Sequence, residues 1–435
     1  MAILRSLFRK RSKLADTNAF EIPAEVTEMT EKKDEATDTT TATAAKKNNS
    51  TEDFLDYWIQ KAVEMRASDV HFERYRTYVK VRYRIDGRLQ TIKKLPVHLH
   101  SGLVTRVKIL AKLKIDEKRV PQDGRFSLVH GDKKFDVRVS ILPGYLGECL
   151  VMRLLQSNSD LFSLQNLGAR DKDVQKLEHL LSIQNGIIVV AGPTGSGKST
   201  TLYSIVKKIS SPECKVITVE DPVEYQLEGI NQVSVNEAIG MTFATALRSM
   251  LRQAPNIILV GEIRDKETAE IAIRAALTGH LVLSTVHAKD TVNAITRLLD
   301  LGIPAYLVAA TLRGVLSQRL IRKLCPNCAR EGKFDLASLK EIAPEYKAMG
   351  NEHIREPVGC DQCLNTGYKG RQAVMEILPV NEKIQRIINQ RCDEDKLRQQ
   401  AQSEGMETLR QIALEHYTHG EIGYEALLTL FAEMS

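Results

Sequence analysis

The rhythm of apolar positions changes twice along the chain. Leu55, Trp58, Ile59, Ala62 and Met65 recur at helical spacing, and Ser50 with Asp53 ahead of them resembles a capping arrangement. Val79, Val81, Tyr83 and Ile85 alternate with charged partners up to Asp86-Gly87, which predicts a strand entering a tight hairpin. Residues 102–113 read as a second amphipathic helix. Residues 126–129 and 135–141 read as strands around the turn His130-Gly131-Asp132-Lys133, and residues 149–155 as a further strand. Together these predict a small α+β domain. From about Asp171, short apolar strands (187–190, 216–219, 257–260 and 281–284) alternate with helical stretches. That alternation predicts a mainly parallel sheet covered on both faces. After about Ala329 the pattern becomes polar and helical, with cysteine pairs inserted. The expected organisation is a tail over 1–50, the α+β domain over 51–160, a linker over 161–174 and an α/β domain over 175–435. The last would include a cysteine-bearing module at 320–375 and C-terminal helices.

Length and composition fit this picture. A chain of 435 residues, 43% apolar and 27% charged, has room for two or three domains with their own cores. The net charge of +6 is mild and shows no concentrated basic face, so no specific nucleic-acid partner is expected. The apolar run near 303–312 falls well short of the ~20 residues of a spanning helix. At the N-terminus, Ile3, Leu4, Leu7 and Phe8 are interspersed with Arg5, Arg9, Lys10, Arg11 and Lys13. This is no secretory signal; it reads either as a short docking helix or as a solvated leader. Residues 27–50 have the composition of a flexible linker. The seven cysteines are an odd number, and four lie in two CxxC pairs, which suits a reducing, cytoplasmic compartment.

The strongest chemical signal is Gly192-Pro193-Thr194-Gly195-Ser196-Gly197-Lys198-Ser199, followed by Thr200. It satisfies G-x-x-x-x-G-K-[ST] between an apolar strand and a helix. The glycines let backbone N–H groups face phosphates, and the helix N-terminus adds positive potential. Lys198 would reach the β- and γ-phosphates of ATP, and the Ser199 hydroxyl would ligate Mg²⁺. Strand-end acids supply candidates to orient water. Glu262 ends the run Ile257 to Val260, with Gly261 where an aspartate is usual; Glu220 and Asp221 end another strand. Glu262 is the first choice. His287, at the end of the strand 281–286, is placed to sense a γ-phosphate or a neighbouring subunit, and His280 is a weaker candidate.

Cys325-Pro326-Asn327-Cys328 and Cys360-Asp361-Gln362-Cys363 offer four thiolates to one tetrahedral Zn²⁺, leaving no open position for catalysis. Closing the intervening loop costs about 3 kcal/mol. Structural zinc contributes roughly 10–16 kcal/mol, so binding dominates. Cys149, Cys214 and Cys392 have no partner motif.

The segments GPTGSGKSTTLY, VITVEDPVEY, LVGEIRD and TGHLVLSTVHAKD, in that order, resemble the boxes of the secretion ATPase superfamily of type II secretion and type IV pilus systems. The resemblance spans about residues 50 to 435 and includes ASDVHFE, RIDGRL, DEKRVPQDGRF and FDVRVSILPGYLGECLVMRLL upstream. It implies a RecA-like P-loop core, a preceding PAS-like α+β domain and a zinc-binding tetracysteine insertion. It further implies arginines carried by that first domain, at Arg138 and Arg153 with Arg125 a third candidate, acting on the nucleotide. It implies a homo-hexamer working with an inner-membrane platform protein and associated assembly proteins, peripheral to the membrane. The tetracysteine segment with Gly367-Tyr368-Lys369-Gly370-Arg371 and Glu376 is typical of assembly and export members and not of retraction members. A DNA-translocating or retraction ATPase is the alternative. The family's longer first N-terminal domain is replaced here by the short basic tail.

Overall fold

The computed structural model describes residues 44–156, 162–333, 335–344, 346, 350–390 and 393–434. The expected helix at 3–14 and Cys392 lie outside them. The chain divides between Gln156 and Ser157 into two compact units.

The first unit opens with α1 (Ala44–Glu64), which starts upstream of the expected cap at Ser50. Ala44-Ala45-Lys46-Lys47 are good helix formers, and no Gly or Pro intervenes, so the helix continues backward into the polar stretch. Its apolar stripe of Phe54, Leu55, Trp58, Ile59 and Ala62 is buried against β1 (Ala67–Arg74) and the helix α2 (Leu99–Leu110). β2 (Tyr78–Ile85) alternates half-buried and buried residues along its length, the mark of a sheet with one covered face. Asp86 and Gly87, with φ of +47° and +86°, turn it into β3 (Arg88–Pro96), as a two-residue type I′ hairpin requires. β4 (Gln122–His130), β5 (Lys133–Leu142) and β6 (Cys149–Gln156) complete an antiparallel sheet of order β3-β2-β1-β6-β5-β4. Beneath it Lys108, 1% exposed, is paired with Glu148 at 2.6 Å and donates to the Glu117 carbonyl at 2.7 Å.

The second unit begins with α3 (Asp171–Leu181) and carries the expected parallel strands β7 (Gly186–Ala191), β8 (Val216–Glu220), β10 (Ile257–Val260) and β11 (Leu281–Val286). They alternate with α4 (Lys198–Ile209), α5 (Phe243–Leu251), α6 (Lys266–Leu277) and α7 (Thr291–Asp300), and β9 (Asn231–Ser234) adds an edge. Every residue of these four parallel strands is buried. α8 (Ala305–Thr311) leads into β12 (Leu312–Leu324). The short pair β13 (Arg330–Glu331) and β14 (Arg355–Glu356) and the helix α9 (Leu336–Ile342) precede β15 (Tyr368–Pro379). The sheet order is β15-β12-β7-β11-β10-β8-β9, with β15 antiparallel to β12 and the others parallel. Two apolar clusters cover its faces, and a third lies under the last helices. β15 is a departure from the sequence expectation, which placed polar helices after Ala329. The apolar pattern does not announce β12 either, because Ser317, Gln318 and Arg319 interrupt its apolar run; all three are buried. The chain ends in α10 (Glu382–Asn389), α11 (Glu394–Ser403), α12 (Leu409–Thr418) and α13 (Tyr424–Met434). No helix among the described residues is long and apolar enough to cross a membrane.

Candidate active site

The loop between β7 and α4 follows a path that side chains would obstruct. Gly192, Gly195 and Gly197 have φ of +150°, +80° and +89°. A Cβ on Gly192 would stand 2.5 Å from Ser196 Oγ and 2.7 Å from the Gln318 carbonyl oxygen. Lys198 folds back over the loop and donates to the carbonyls of Gly192 at 2.8 Å and Pro193 at 3.0 Å. Ser199 and Thr200 are exposed at the first turn of α4, where backbone N–H groups lack intrahelical acceptors. Burial lowers the pKa of the Lys198 ammonium; the Glu262 charge opposes this and the Arg319 charge adds to it.

Glu262 follows β10 with only Gly261 between them. Gly261 donates its N–H to the Val219 carbonyl at 2.8 Å, and a Cβ there would meet that oxygen at 3.2 Å and Glu220 Cα at 3.3 Å. Glycine before the acid therefore lets the end of β10 lie close against β8. Glu262 Oε1 accepts from Arg264 Nη2 at 2.5 Å, and Oε2 stands 3.4 Å from His287 Nε2. Oε2 is buried without a hydrogen-bond donor among the described residues. Burial pushes this carboxyl's pKa up. The Arg264 hydrogen bond and the charges of Arg264, His287 and Lys198 outweigh that and hold it below its usual value. Lys198, Glu262 and His287 thus share one electrostatic neighbourhood. The glycine-lined cradle, the orphaned Glu262 oxygen and the exposed Ser199 hydroxyl fit a nucleoside triphosphate with its Mg²⁺.

The other acid candidates are placed differently. Glu220 is 5% exposed and accepts from the Tyr203 hydroxyl, from Thr218 Oγ1 at 2.6 Å and from Gln232 Nε2 at 3.1 Å. Asp221 is exposed, 3.9 Å from Arg264. His280, just past the end of α6, donates through Nδ1–H to the Ala275 carbonyl at 2.9 Å.

Arg138 and Arg153 belong to the first unit and stand directly opposite each other on β5 and β6, while Arg125 on β4 is opposite Arg138. Their row continues through Asp69 on β1 to Arg84 on β2. Asp69, 5% exposed, takes Arg153 Nε on one oxygen at 3.0 Å and Arg84 Nε on the other at 3.3 Å.

The four cysteine sulfurs all lie within 4.8 Å of one another. Cys325–Cys360 is 3.9 Å, Cys328–Cys363 3.7 Å and Cys360–Cys363 3.7 Å. A tetrahedron of sulfurs at 2.3 Å from a central zinc has edges of about 3.8 Å, so the spacing fits that ion. Backbone N–H groups of Gly359, Cys360 and Gly367 point at these sulfurs from 3.2–3.3 Å. Cys149 and Cys214 stand apart from this group, and burial pushes both of their thiols up.

Three residues that the sequence did not single out for the site also meet here. Gln318 donates through Nε2 to the Ser196 carbonyl at 2.9 Å and accepts from Thr201 Oγ1 at 2.6 Å. Arg319 lies beside it. Glu376, 1% exposed, accepts from the N–H of Thr291 at 3.0 Å, the Thr291 hydroxyl and the N–H of Leu409 at 3.1 Å. It thereby caps α7 and α12 together, and burial pushes its pKa up. No local spacing announces these contacts; they depend on strand register.

A phosphate loop entering the middle of a parallel sheet, with a carboxylate and a histidine at the ends of neighbouring strands, defines a P-loop ATPase of the RecA-like kind. Residues 44–429 match the family described as Type II/IV secretion system protein, and the chain belongs to it. It is 44% identical over 379 residues to type II secretion system protein E of Pectobacterium carotovorum subsp. carotovorum, covering 87% of this chain and 75% of that one. It is 41% identical over 375 residues to the type IV pilus assembly ATPase TfpB of Acinetobacter baylyi, covering 86% and 64%. Among solved structures, the pilus retraction motor PilT with bound ADP aligns with a TM-score of 0.57 and 28% identity, covering 86% of this chain and 96% of that one.

Proposed function

We propose that this ATPase is a cytoplasmic motor, peripheral to the inner membrane, that powers type IV pilus assembly or type II protein secretion through a membrane platform protein. The observation that carries the reading is the grouping of Lys198, Glu262 and His287 beside the glycine-lined loop. In this mechanism Lys198 leaves the loop carbonyls for the β- and γ-phosphates, and the N–H groups of residues 195–200 hold the phosphate chain. Mg²⁺ held by Ser199 supplies charge neutralisation at the phosphates. Glu262, ionised throughout the neutral range, orients the attacking water with its free oxygen. His287 senses the product charge through its contact with that carboxylate. Glu220 braces the end of the adjacent strand through its three donors. Arg138 and Arg153 neutralise γ-phosphate charge in a homo-hexamer. Zn²⁺ on the four thiolates is structural.

The tetracysteine segment favours assembly or export over retraction. The test is ATP turnover of the purified full chain and of Lys198→Ala, with and without the cytoplasmic part of a cognate platform protein, and with DNA. Platform-stimulated, Lys198-dependent turnover is expected. Stimulation by DNA alone would move the reading to a DNA-translocating ATPase, and unchanged nucleotide affinity in Lys198→Ala would remove the site.

A further inference from the structure

A buried guanidinium lies beside the phosphate loop without a counter-ion. Arg319 is 4% exposed. Its Nη1 donates to the Gln318 carbonyl at 3.0 Å and its Nη2 to the Lys289 carbonyl at 2.7 Å. Nε–H has no acceptor among the described residues, and no carboxylate there forms an ion pair with the group. The acids that influence it, Glu433, Glu376 and Asp290, act at longer range. Burying an arginine without a paired anion is costly, and two neutral carbonyls compensate only part of that cost.

The surroundings say which anion is missing. Arg319 lines a cleft of about 600 Å³ whose walls include Gly192, Pro193, Thr194, His287, Lys289 and, without an ion pair to Arg319, Glu433. Gly192 and Pro193 are the residues whose carbonyls hold Lys198, the group that reads the β- and γ-phosphates. Arg319 and Lys198 are close enough for the arginine's charge to depress the lysine's pKa. The cleft is therefore on the terminal-phosphate side of the loop. We propose that Arg319 is a ligand of the terminal phosphate of ATP, contributed by the same chain that carries the phosphate loop. Its carbonyl contacts pre-set the guanidinium plane, and its remaining N–H groups are left for the γ-oxygens. ADP, lacking that phosphate, leaves the arginine unpaired, so the residue discriminates triphosphate from diphosphate.

The inference rests on the nucleotide reading of the loop, which wild type and Lys198→Ala test independently of Arg319. The experiment is calorimetric titration of the full-length wild type, Arg319→Gln and Arg319→Lys with ADP and with the imido analogue of ATP. Both variants are checked for wild-type thermal midpoints. Arg319→Gln is expected to lose about 10- to 100-fold in analogue affinity, the range for one charged hydrogen-bonded contact, with ADP affinity within about twofold. Arg319→Lys, which keeps the charge but not the planar fork, is expected to fall between the two. Equal losses for both nucleotides, or no loss for either, overturn the proposal and make Arg319 a strut between β12 and the turn at Lys289. If Arg319→Gln does not fold, the ratio of analogue to ADP affinity in Arg319→Lys decides: an unchanged ratio overturns the proposal.

Discussion

Replacing Glu376 with alanine removes one carboxylate and disturbs two helices. The side chain accepts the N–H groups at the starts of α7 and α12 and the Thr291 hydroxyl. The hydroxyl has a second neighbour in Met406 Sδ at 3.5 Å, so the two backbone N–H groups carry the loss. Each buried donor left without an acceptor costs about 1–3 kcal/mol, giving about 2–6 kcal/mol before any cavity contribution. A domain of ordinary stability, about 5–15 kcal/mol, loses a large share of its margin. At about 2–4 °C per kcal/mol the second unit should melt on the order of 10 °C lower. The chain holds a single tryptophan, Trp58, buried in the first unit. Tryptophan fluorescence therefore reports the first unit and amide exchange at Leu409 the second, whereas circular dichroism sums the two, with the larger second unit contributing most. The expected result is an unchanged fluorescence transition, a lowered dichroism transition and faster exchange at Leu409. A fluorescence midpoint that falls equally, or a dichroism midpoint that stays put, would falsify the reasoning. Glu376→Gln adds a pH arm. Burial raises the folded pKa of Glu376 above its ordinary 4.5. The stability tied to its proton is thus complete below that value and lost as pH rises through the folded pKa. Wild type should outperform Glu376→Gln most at acid pH, with the difference shrinking toward neutrality.

Glu262→Gln should retain nucleotide affinity while turnover falls by roughly 10²–10⁴; near-normal turnover in a steady-state assay would shift the water-orienting role to another acid. Because the charges around Glu262 hold its pKa below the usual carboxylate range, its own protonation should not limit turnover near neutral pH, and a pH–rate profile checks this. Elemental analysis of unchelated protein should give about one zinc per chain, and Cys360→Ser should lower both zinc content and the melting point of the second unit. Glu148→Ala leaves Lys108 buried without its partner and should cost about 3–5 kcal/mol, seen in the Trp58 fluorescence transition and not in Leu409 exchange.

How far the sequence foretold the molecule depended on whether a feature is local. β7, β8, β10 and β11 are buried on both faces, so they appear as plain apolar runs. The phosphate loop is legible because its spacing is its geometry. β12 was hidden because Ser317, Gln318 and Arg319 lie in its middle, and a polar triplet reads as a break unless its partners are known. Those partners, Ser196, Thr201 and Lys289, lie far away in sequence. The start of α1 lies upstream of the expected cap for a different reason, since a polar composition without Gly or Pro does not forbid a helix. Glu376 belongs to a motif legible in the sequence, but its capping of two distant helices follows only from the pairing of β15 with β12.

That pairing also gives the four thiols a physical task. Cys325 follows β12 directly, and Gly367 precedes β15; the Cys325 N–H donates to the Gly367 carbonyl at 2.9 Å, one step beyond the pair Leu324–Tyr368. A metal on the four sulfurs would therefore close the connection between the two strands at the end of their shared ladder. The ladder then runs back from the thiols to Ser317 opposite Glu376, Gln318 opposite Met375 and Arg319 opposite Val374. A slip of one residue in β12 would turn Gln318 away from Ser196 and Arg319 away from Lys289, and a slip of one residue in β15 would turn Glu376 away from its helix ends, because side chains alternate between faces. Register on this edge of the sheet is thus worth more than the pairing energy of two strands. It sets the floor of the phosphate loop and the starts of two helices together, which is reason enough for a cross-link at a point remote from the nucleotide.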